Sequence, residues 1–187
     1  MPDSHSTGTE SFDRSEPPRR HRPAESSSCE LGPAGYDREV TIRERLARKP
    51  ETAELRRIRR LWQRHSIAED RRDIDGLVAT LAPDCVYEIV GTGLRWEGQD
   101  GARRFYTELF AAFPDNRFAL TDIVIGPQGV FEAVVLEATH SGPFAGLAPT
   151  NGPVRLELAI IFPWDPASQR FAGERIFIDR AALVGRA

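Results

Sequence analysis

The second half of the chain contains four apolar runs of strand length that follow one another without an intervening helical pattern. They cover residues 118–125, 130–140, 154–162 and 170–179. Runs of this length in direct succession predict long antiparallel strands. A sheet of that kind needs a second layer to cover one face, and this requirement constrains the fold more than any other feature of the sequence.

Helical patterns earlier in the chain predict the covering layer. In residues 51–73, apolar side chains recur every three or four positions, which is typical of an amphipathic helix. A shorter helix is predicted in 73–85, with Asp73 as its N-cap and Pro83 at its end. A third helix is predicted in 99–115, where the apolar residues are again spaced for one buried face.

Two shorter strands complete the predicted order. Residues 85–91 are predicted to form a strand, and a glycine-containing turn leads from it into a second short strand. The order α, α, β, β, α, β, β, β, β predicts an α+β fold in which three helices cover one face of a mixed or antiparallel sheet. A strongly curved sheet of this kind encloses a cone, and ligand sites prefer such concave, mostly apolar cavities.

The first fifty residues differ in composition from the rest. Residues 1–50 are rich in proline, serine and charged side chains, which predicts a disordered leader with a weak helix at 39–48. The folded domain is expected at 51–187 and carries the formal net charge of -3, because the charges of the leader cancel. A domain so near neutrality has no electrostatic footprint for nucleic acid or anionic membrane. Two cysteines without a disulfide framework predict a reduced, cytoplasmic protein.

Asp179 is the first candidate for a catalytic group. It ends the last apolar run, where strand alternation places it on one face with Arg175 and Phe177. If this face meets the cavity, burial favours the neutral carboxyl group and the guanidinium favours the ionised one, a balance that suits a group that takes and returns a proton. The alternative is that Asp179 caps a short helix at 180–185, and the two roles are compatible.

Three further polar residues are candidates for contact with a substrate. His140 ends the second long run at the start of a glycine- and proline-rich loop, where it either donates a hydrogen bond to a substrate or fixes the loop through backbone carbonyls. His65 shares its helical face with Trp62, so it faces either the cavity or an ordinary core. Glu88 alternates with Tyr87 in its strand, and only one of the two can face inward.

The sequence contains no motif for a cofactor or a metal. Gly91 and Gly93 are followed by Trp96 where a dinucleotide-binding turn needs a third glycine. There is no P-loop, no G-x-S-x-G elbow and no paired C-x-x-C, and the four histidines lack metal-ligand spacing. We therefore expect neither a cofactor nor a metal site.

Three stretches of the chain resemble one family. The loop HSGPFAGLAPTNGPV (140–154), the stretch WEGQDGARRFYTELFAAFPD (96–115) and the ending ERIFIDRAALV (174–184) are similar to motifs of the SnoaL-like polyketide cyclases, within the nuclear transport factor 2-like superfamily. The motifs occur in the family's order and span about residues 53–185. The resemblance implies a cystatin-like α+β barrel, in which a curved sheet wraps around helices and forms a cone-shaped cavity.

The resemblance also implies an activity. In these cyclases the aspartate of the last strand is the general acid and base of an intramolecular aldol closure, and it corresponds to Asp179, while the loop histidine corresponds to His140. The implied protein is a cofactor-independent enzyme that acts on a polyketide-like carbonyl compound and forms a homodimer through the exposed face of the sheet. Ile176 stands where epoxide hydrolases of the superfamily carry a further acid, which argues against hydrolysis by an Asp-Arg-Asp set.

A non-catalytic binding or dimerisation module of the same fold is the competing interpretation. In such a module, aromatic side chains fill the cone, namely those of Trp62, Phe105, Phe144 and Phe177. In an enzyme, the same four residues would line the substrate site together with His65, Glu88 and Arg175. An open cavity that reaches Asp179 would distinguish the enzyme from the module.

Overall fold

The helices and strands follow the predicted α+β order. The computed structural model of the protein describes residues 41–183. The elements are α1 (Ile42–Ala47), α2 (Thr52–Asp70), α3 (Ile74–Val78), β1 (Leu81–Ile89), β2 (Leu94–Glu97), α4 (Gly98–Ala112), β3 (Arg117–Gly126), β4 (Gly129–Thr139), β5 (Pro153–Asp165), β6 (Arg170–Ile178) and a 3-10 turn, Arg180–Leu183. The predicted disordered leader lies outside the described residues up to position 40, and α1 falls within the helix predicted at 39–48. No helix in the described range is both long and apolar enough to cross a membrane.

The six strands form one curved sheet in the order β2-β1-β6-β5-β4-β3. Neighbouring strands are antiparallel except β1 and β6, which run parallel. Along β5, the row from Val154 to Phe162 is buried while Arg155 and Glu157 are exposed, which confirms the predicted alternation. Helix α2 packs against β3 and β4, and α4 packs against β1 and β2, so the core lies between the helices and the inner face of the sheet.

Helix α2 has the amphipathic pattern that the sequence predicts. Ile58, His65 and Ala68 are buried on its inner face. The helix ends before Arg72, which adopts a positive φ of 55°, a left-handed conformation that cannot continue the helix. The side chain of Asp73 then accepts a hydrogen bond from Gly76 N at 2.9 Å and caps α3, as predicted.

The second predicted helix is too long. It was expected in 73–85, but α3 ends at Val78 and β1 begins at Leu81. The reason is tertiary pairing, because Leu81 lies opposite Phe171 in β6 and the backbone N–H of Phe171 donates to Thr80 O at 3.1 Å. Pro83 falls in the register shift between β1 and β6, where its missing N–H interrupts no ladder bond.

A close approach between β1 and β6 fixes the register at the middle of the sheet. Gly173 has a φ of 121°, and a Cβ atom there would lie 1.9 Å from Val86 O. Only glycine fits this position, since it has no Cβ and tolerates a positive φ. The register that follows pairs Tyr87 with Glu174 and Glu88 with Arg175.

Candidate active site

A narrow cavity lies between α4 and the inner rows of β4, β5 and β6. Its volume is about 40 Å³, room for about three water molecules, whereas pockets for drug-sized ligands measure about 300–1,000 Å³. Twelve apolar side chains line it, four of them phenylalanines, together with the carboxyl groups of Glu69 and Glu174. Two acidic groups in an apolar cavity are the feature that needs a chemical explanation.

Glu69 is the carboxyl group of the cavity that no other side chain neutralises. It follows His65 by four residues on α2, so both lie on the helix face that meets the sheet. Among the described residues, its side chain has no hydrogen-bond or ion-pair partner. Burial raises the pKa of Glu69 well above the usual 4.5, and the nearby carboxyl groups of Glu174 and Glu132 raise it further. Glu69 is therefore suited to hold a proton at a pH where an ordinary glutamate has lost it.

Glu174 is the second carboxyl group of the cavity, and it belongs to a buried hydrogen-bond network. Its Oε1 atom lies 3.0 Å from His65 Nε2 and accepts a hydrogen bond from Tyr106 OH at 2.6 Å. Tyr106 OH is also 2.8 Å from His65 Nε2 and 3.1 Å from Tyr87 OH. On the other side of the imidazole ring, His65 Nδ1 lies 2.6 Å from Thr80 Oγ1.

The donors and acceptors of this network determine how many protons it holds. Thr80 Oγ1 donates its only proton to Leu77 O at 2.6 Å, so it must accept one from His65 Nδ1. Tyr106 donates its proton to Glu174, which leaves the contact between His65 Nε2 and Glu174 Oε1 without a donor unless one of the two is protonated. The pair of His65 and Glu174 therefore shares one additional proton.

The two tyrosines keep the network supplied with neutral donors. Burial raises the pKa of both Tyr87 and Tyr106 well above 10, and the charge of Glu174 raises it further. Each phenol therefore retains its proton at neutral pH. The chain of contacts from Tyr87 through Tyr106 ends on Glu174, at the wall of the cavity.

Glu132 adds a third carboxyl group to the same region. It lies on the inner row of β4, where it is buried, and its Oε2 atom accepts a hydrogen bond from Trp62 Nε1 at 2.7 Å. Burial raises the pKa of Glu132 from 4.5 to about 7; the hydrogen bond from Trp62 lowers it, and the charge of Glu174 raises it. Its charge also contributes to the raised pKa of Glu69.

The prediction of which face of β6 meets the cavity is wrong. The prediction that Arg175, Phe177 and Asp179 meet the cavity is reversed, since Glu174, Ile176 and Ile178 line it. Arg175 lies on the outer face because its Nε atom pairs with Glu88 Oε1 at 2.6 Å, and its guanidinium lies 5.7 Å from the ring of Phe177. Glu88, also expected at the site, is therefore part of an ion pair on the outer face, while Tyr87 faces inward.

Asp179 is exposed and lies outside the cavity lining. Its Oδ1 atom accepts a hydrogen bond from Ala181 N at 2.9 Å, and its backbone carbonyl accepts one from Ala182 N at 3.1 Å. This geometry is that of the alternative predicted role, a cap on the C-terminal turn.

His140 is buried, and neither ring nitrogen has a hydrogen-bond partner in the described part of the chain. Its ring stacks on Phe113, a residue of the cavity lining, with centroids 5.1 Å apart. His140 is therefore one side chain removed from the cavity, and no contact joins it to Asp179.

Of the predicted aromatic residues, Phe105 and Phe144 line the cavity, whereas Trp62 and Phe177 do not.

The structure brings together residues that the sequence analysis did not select. Glu69, Glu132, Glu174 and Tyr106 were not among the candidates. A signal existed for two of them: Glu69 is four residues after His65 on one helix face, and Glu174 is in phase with the apolar Ile176 and Ile178. No group of residues in the described range has the composition and spacing of a metal site.

A curved sheet that closes with helices over an apolar cavity defines a nuclear transport factor 2-like fold. The family model of the SnoaL-like polyketide cyclases matches residues 55–185, and the chain belongs to that family. No curated protein sequence matches the chain.

Solved structures show the same fold. A SnoaL-like protein from Jannaschia sp. CCS1 is 18% identical, with a TM-score of 0.60 over 75% of this chain and 100% of its own. IdmH from Streptomyces antibioticus, a proposed polyketide cyclase, is 22% identical, with a TM-score of 0.55 over 68% of this chain and 95% of its own. An LEH-like epoxide hydrolase from M. tuberculosis is 20% identical, with a TM-score of 0.53 over 72% of this chain and 89% of its own. At these identities the likeness concerns the fold, and the chemistry must be argued from the site.

Proposed function

We propose that the protein is a cofactor-independent acid–base enzyme that acts on a neutral, apolar carbonyl compound, with Glu69 as the group that takes and returns the proton. One observation carries the proposal: Glu69 lines an apolar cavity with its carboxyl group unpaired and its pKa raised. A general base works best when its pKa lies near the operating pH, and burial is a common way to raise a glutamate to that range.

The proposed chemistry is an aldol-type ring closure or a related isomerisation or hydration. In the closure, ionised Glu69 removes a proton from the carbon next to a substrate carbonyl, and the carbanion attacks a second carbonyl of the same molecule. One C–H bond breaks, one C–C bond forms, and the neutral Glu69 returns its proton to the alkoxide. The carboxyl group ends as it began, so no cofactor is required.

In this proposal, the proton shared by His65 and Glu174 also takes part in the reaction. Glu174 lines the same cavity as Glu69 and is held by His65 and Tyr106. In this step the shared proton moves to Oε2 of Glu174 and Tyr106 donates to His65 Nε2 instead. Neutral Glu174 then donates a hydrogen bond to the substrate carbonyl, which favours loss of the adjacent proton because charge develops on that oxygen. His65 then acts as a positioning residue that stores the proton between turnovers.

The lining also supports a substrate class. Because the cavity wall contains two carboxyl groups and no basic side chain, a carboxylate or phosphate on the substrate would be repelled. The four phenylalanines favour an aromatic or otherwise flat apolar compound. A neutral polyketide-like ketone fits these constraints.

A non-catalytic binding module is the second candidate function. It is favoured by the volume of about 40 Å³ and by the position of Asp179 outside the cavity lining. In that case the phenylalanines fill the cone as a core, and Glu69 contributes nothing to turnover.

An exchange experiment separates these functions. The probe is β-tetralone, a neutral fused aryl ketone, and the measurement is the exchange of its protons next to the carbonyl for deuterium, followed by proton NMR. We expect the wild-type protein to accelerate exchange and Glu69→Gln to lose about a hundredfold or more of that acceleration. Glu137→Gln is the matched control, because Glu137 lies on the exposed side of β4.

Three results would count against Glu69. Full activity of a folded Glu69→Gln variant would exclude it as the acid–base group. Loss of exchange in Asp179→Asn alone would assign the role to the residue that the family resemblance implies. If the wild-type protein binds the ketone in ligand-observed NMR without accelerating exchange, the binding module is the correct function.

A further inference from the structure

The cavity is closed on one side by a loop rather than by a strand or helix. Residues 141–152, here called the lid loop, connect β4 to β5, and Phe144 is the only cavity-lining residue that belongs to it. The ring of Phe144 packs edge-on against Phe113, 5.3 Å away, and Phe105, 6.1 Å away, on the helical side of the cavity. Phe144 lies outside the six-stranded sheet, so displacement of its side chain would not break the pairing of the strands.

The base of the lid loop is held by backbone hydrogen bonds. His140 N donates to Gly152 O at 3.0 Å, and Asn151 N donates to His140 O at 2.9 Å. Ser141 N donates to Ala112 O at 2.8 Å, which ties the loop to the end of α4. These contacts fix both ends of the loop.

The tip of the lid loop, residues 144–147, is partly buried in the core and accepts one side-chain hydrogen bond from outside the loop. Arg180 Nη2 donates to Ala145 O at 2.7 Å. Within the tip, Phe144 and Leu147 exchange two backbone hydrogen bonds of 3.1 and 2.9 Å. Ala145 has a φ of 52°, a left-handed conformation that alanine disfavours, so the closed tip depends on contacts rather than on its own preference.

Few interactions hold the guanidinium group of Arg180 in place. It makes no ion pair with any residue in the described range, and its Nε atom is buried without a hydrogen-bond partner. A buried donor without an acceptor opposes the closed arrangement, because opening would let water reach it. The position of Arg180 is set by the turn that Asp179 caps, and Ala182 of the same turn packs against the core.

From this geometry we propose that Arg180 is a latch that holds Phe144 over the cavity, and that Asp179 positions the latch by capping its turn. Access of a ligand to Glu69 and Glu174 then requires release of the bond between Arg180 and Ala145. The cavity volume of about 40 Å³ is that of the latched state. Asp179 and Arg180 thus control access to the site without contact with the reacting atoms.

The test measures opening of the cavity and needs no substrate, so it can fail independently of the proposed function. A reporter thiol is placed in the cavity wall as Leu156→Cys, and its alkylation by iodoacetamide is followed by peptide mass spectrometry of the full chain. Cys85 is the internal reference: it is fully buried away from the lining, and burial raises its pKa to about 12. Its labelling therefore reports unfolding of the domain rather than opening of the lid loop.

Arg180→Ala is expected to accelerate labelling of the reporter about tenfold or more, the effect of losing a hydrogen bond from a charged donor, with no change at Cys85. Arg180→Lys, which keeps a charged donor group, should restore part of the protection. Arg170→Ala is the matched control, since Arg170 also donates to a backbone carbonyl, that of Ala79, away from the cavity.

Equal acceleration of labelling at both cysteines, or no acceleration at either, would overturn the latch. If Leu156→Cys does not fold, Leu158→Cys in the same wall is the reporter, with the same two outcomes.

Discussion

Glu132 offers a direct measurement of the electrostatics of the core. It is 6% exposed, lies on the inner row of β4, and is held by a single hydrogen bond from Trp62 Nε1. The substitution Glu132→Gln keeps an oxygen acceptor for Trp62 and removes the titrating group. Any difference between the two proteins that depends on pH therefore reports the cost of ionising this carboxyl group in the core.

The pKa of Glu132 sets the size and the pH range of that difference. Burial raises this pKa from 4.5 to about 7. Because it is raised on folding, the contribution of Glu132 to stability is fully present below 4.5 and is lost as the pH rises through about 7. A difference of about 2.5 pKa units, at about 1.4 kcal/mol each, corresponds to about 3 kcal/mol. The free energy of unfolding of Glu132→Gln, relative to that of the wild type, should therefore be about 3 kcal/mol higher above pH 7 than below pH 4.5.

Urea unfolding followed by tryptophan fluorescence, from below pH 4.5 to above pH 7, measures the difference. Glu137→Gln is the control on the same strand, because the carboxyl group of Glu137 is 67% exposed. A constant difference between Glu132→Gln and the wild type would show that Glu132 ionises normally. The description of a core that holds three interacting carboxyl groups would then be wrong.

Two further predictions concern the buried pair and the outer face of the sheet. His65→Leu should destabilise the protein by about 3–5 kcal/mol, because Glu174 loses its partner, and adding Glu174→Leu should recover much of the loss; urea midpoints that fall further in the double variant would contradict this. We also propose a homodimer through the outer face of the sheet, where Phe131 is 39% and Phe177 is 38% exposed. Phe131→Arg should give a monomer in analytical ultracentrifugation, and a monomeric wild type would exclude the proposal.

The fold could be predicted because its signals are local. The alternation from Val154 to Phe162 determines the inner face of β5 wherever that strand is placed. The boundary between α3 and β1 could not be predicted in the same way. Residues 79–85 follow a helix and contain a proline, yet the pairing of Thr80 and Leu81 with Phe171, ninety residues later, draws them into a strand.

The site was harder to predict because alternation separates two faces without saying which is inside. In β6, the face that carries Ile176 and Ile178 is the more apolar one, and it is the face that is buried. Glu174 shares this face and lines the cavity, whereas Asp179 lies on the opposite, exposed face. The family resemblance favours Asp179, whereas the hydrophobic pattern of the strand favours the opposite face. Glu69 had no local signal except its spacing from His65, since the cavity that it lines is formed by strands that come later in the chain.

Stability alone does not explain the polar groups around this cavity. Replacing a buried ion pair by apolar residues of similar volume is often neutral or stabilising, and an unpaired buried carboxyl group costs free energy. His65 and Glu174 share one proton, Glu132 has a pKa of about 7, and Glu69 has a raised pKa and no partner. A core built only for stability would contain leucine, isoleucine or phenylalanine at these positions, as it does at the twelve apolar positions around them. Carboxyl groups with raised pKa values such as Glu69 and Glu132, placed behind a loop that one arginine holds closed, are what proton transfer to an enclosed ligand requires.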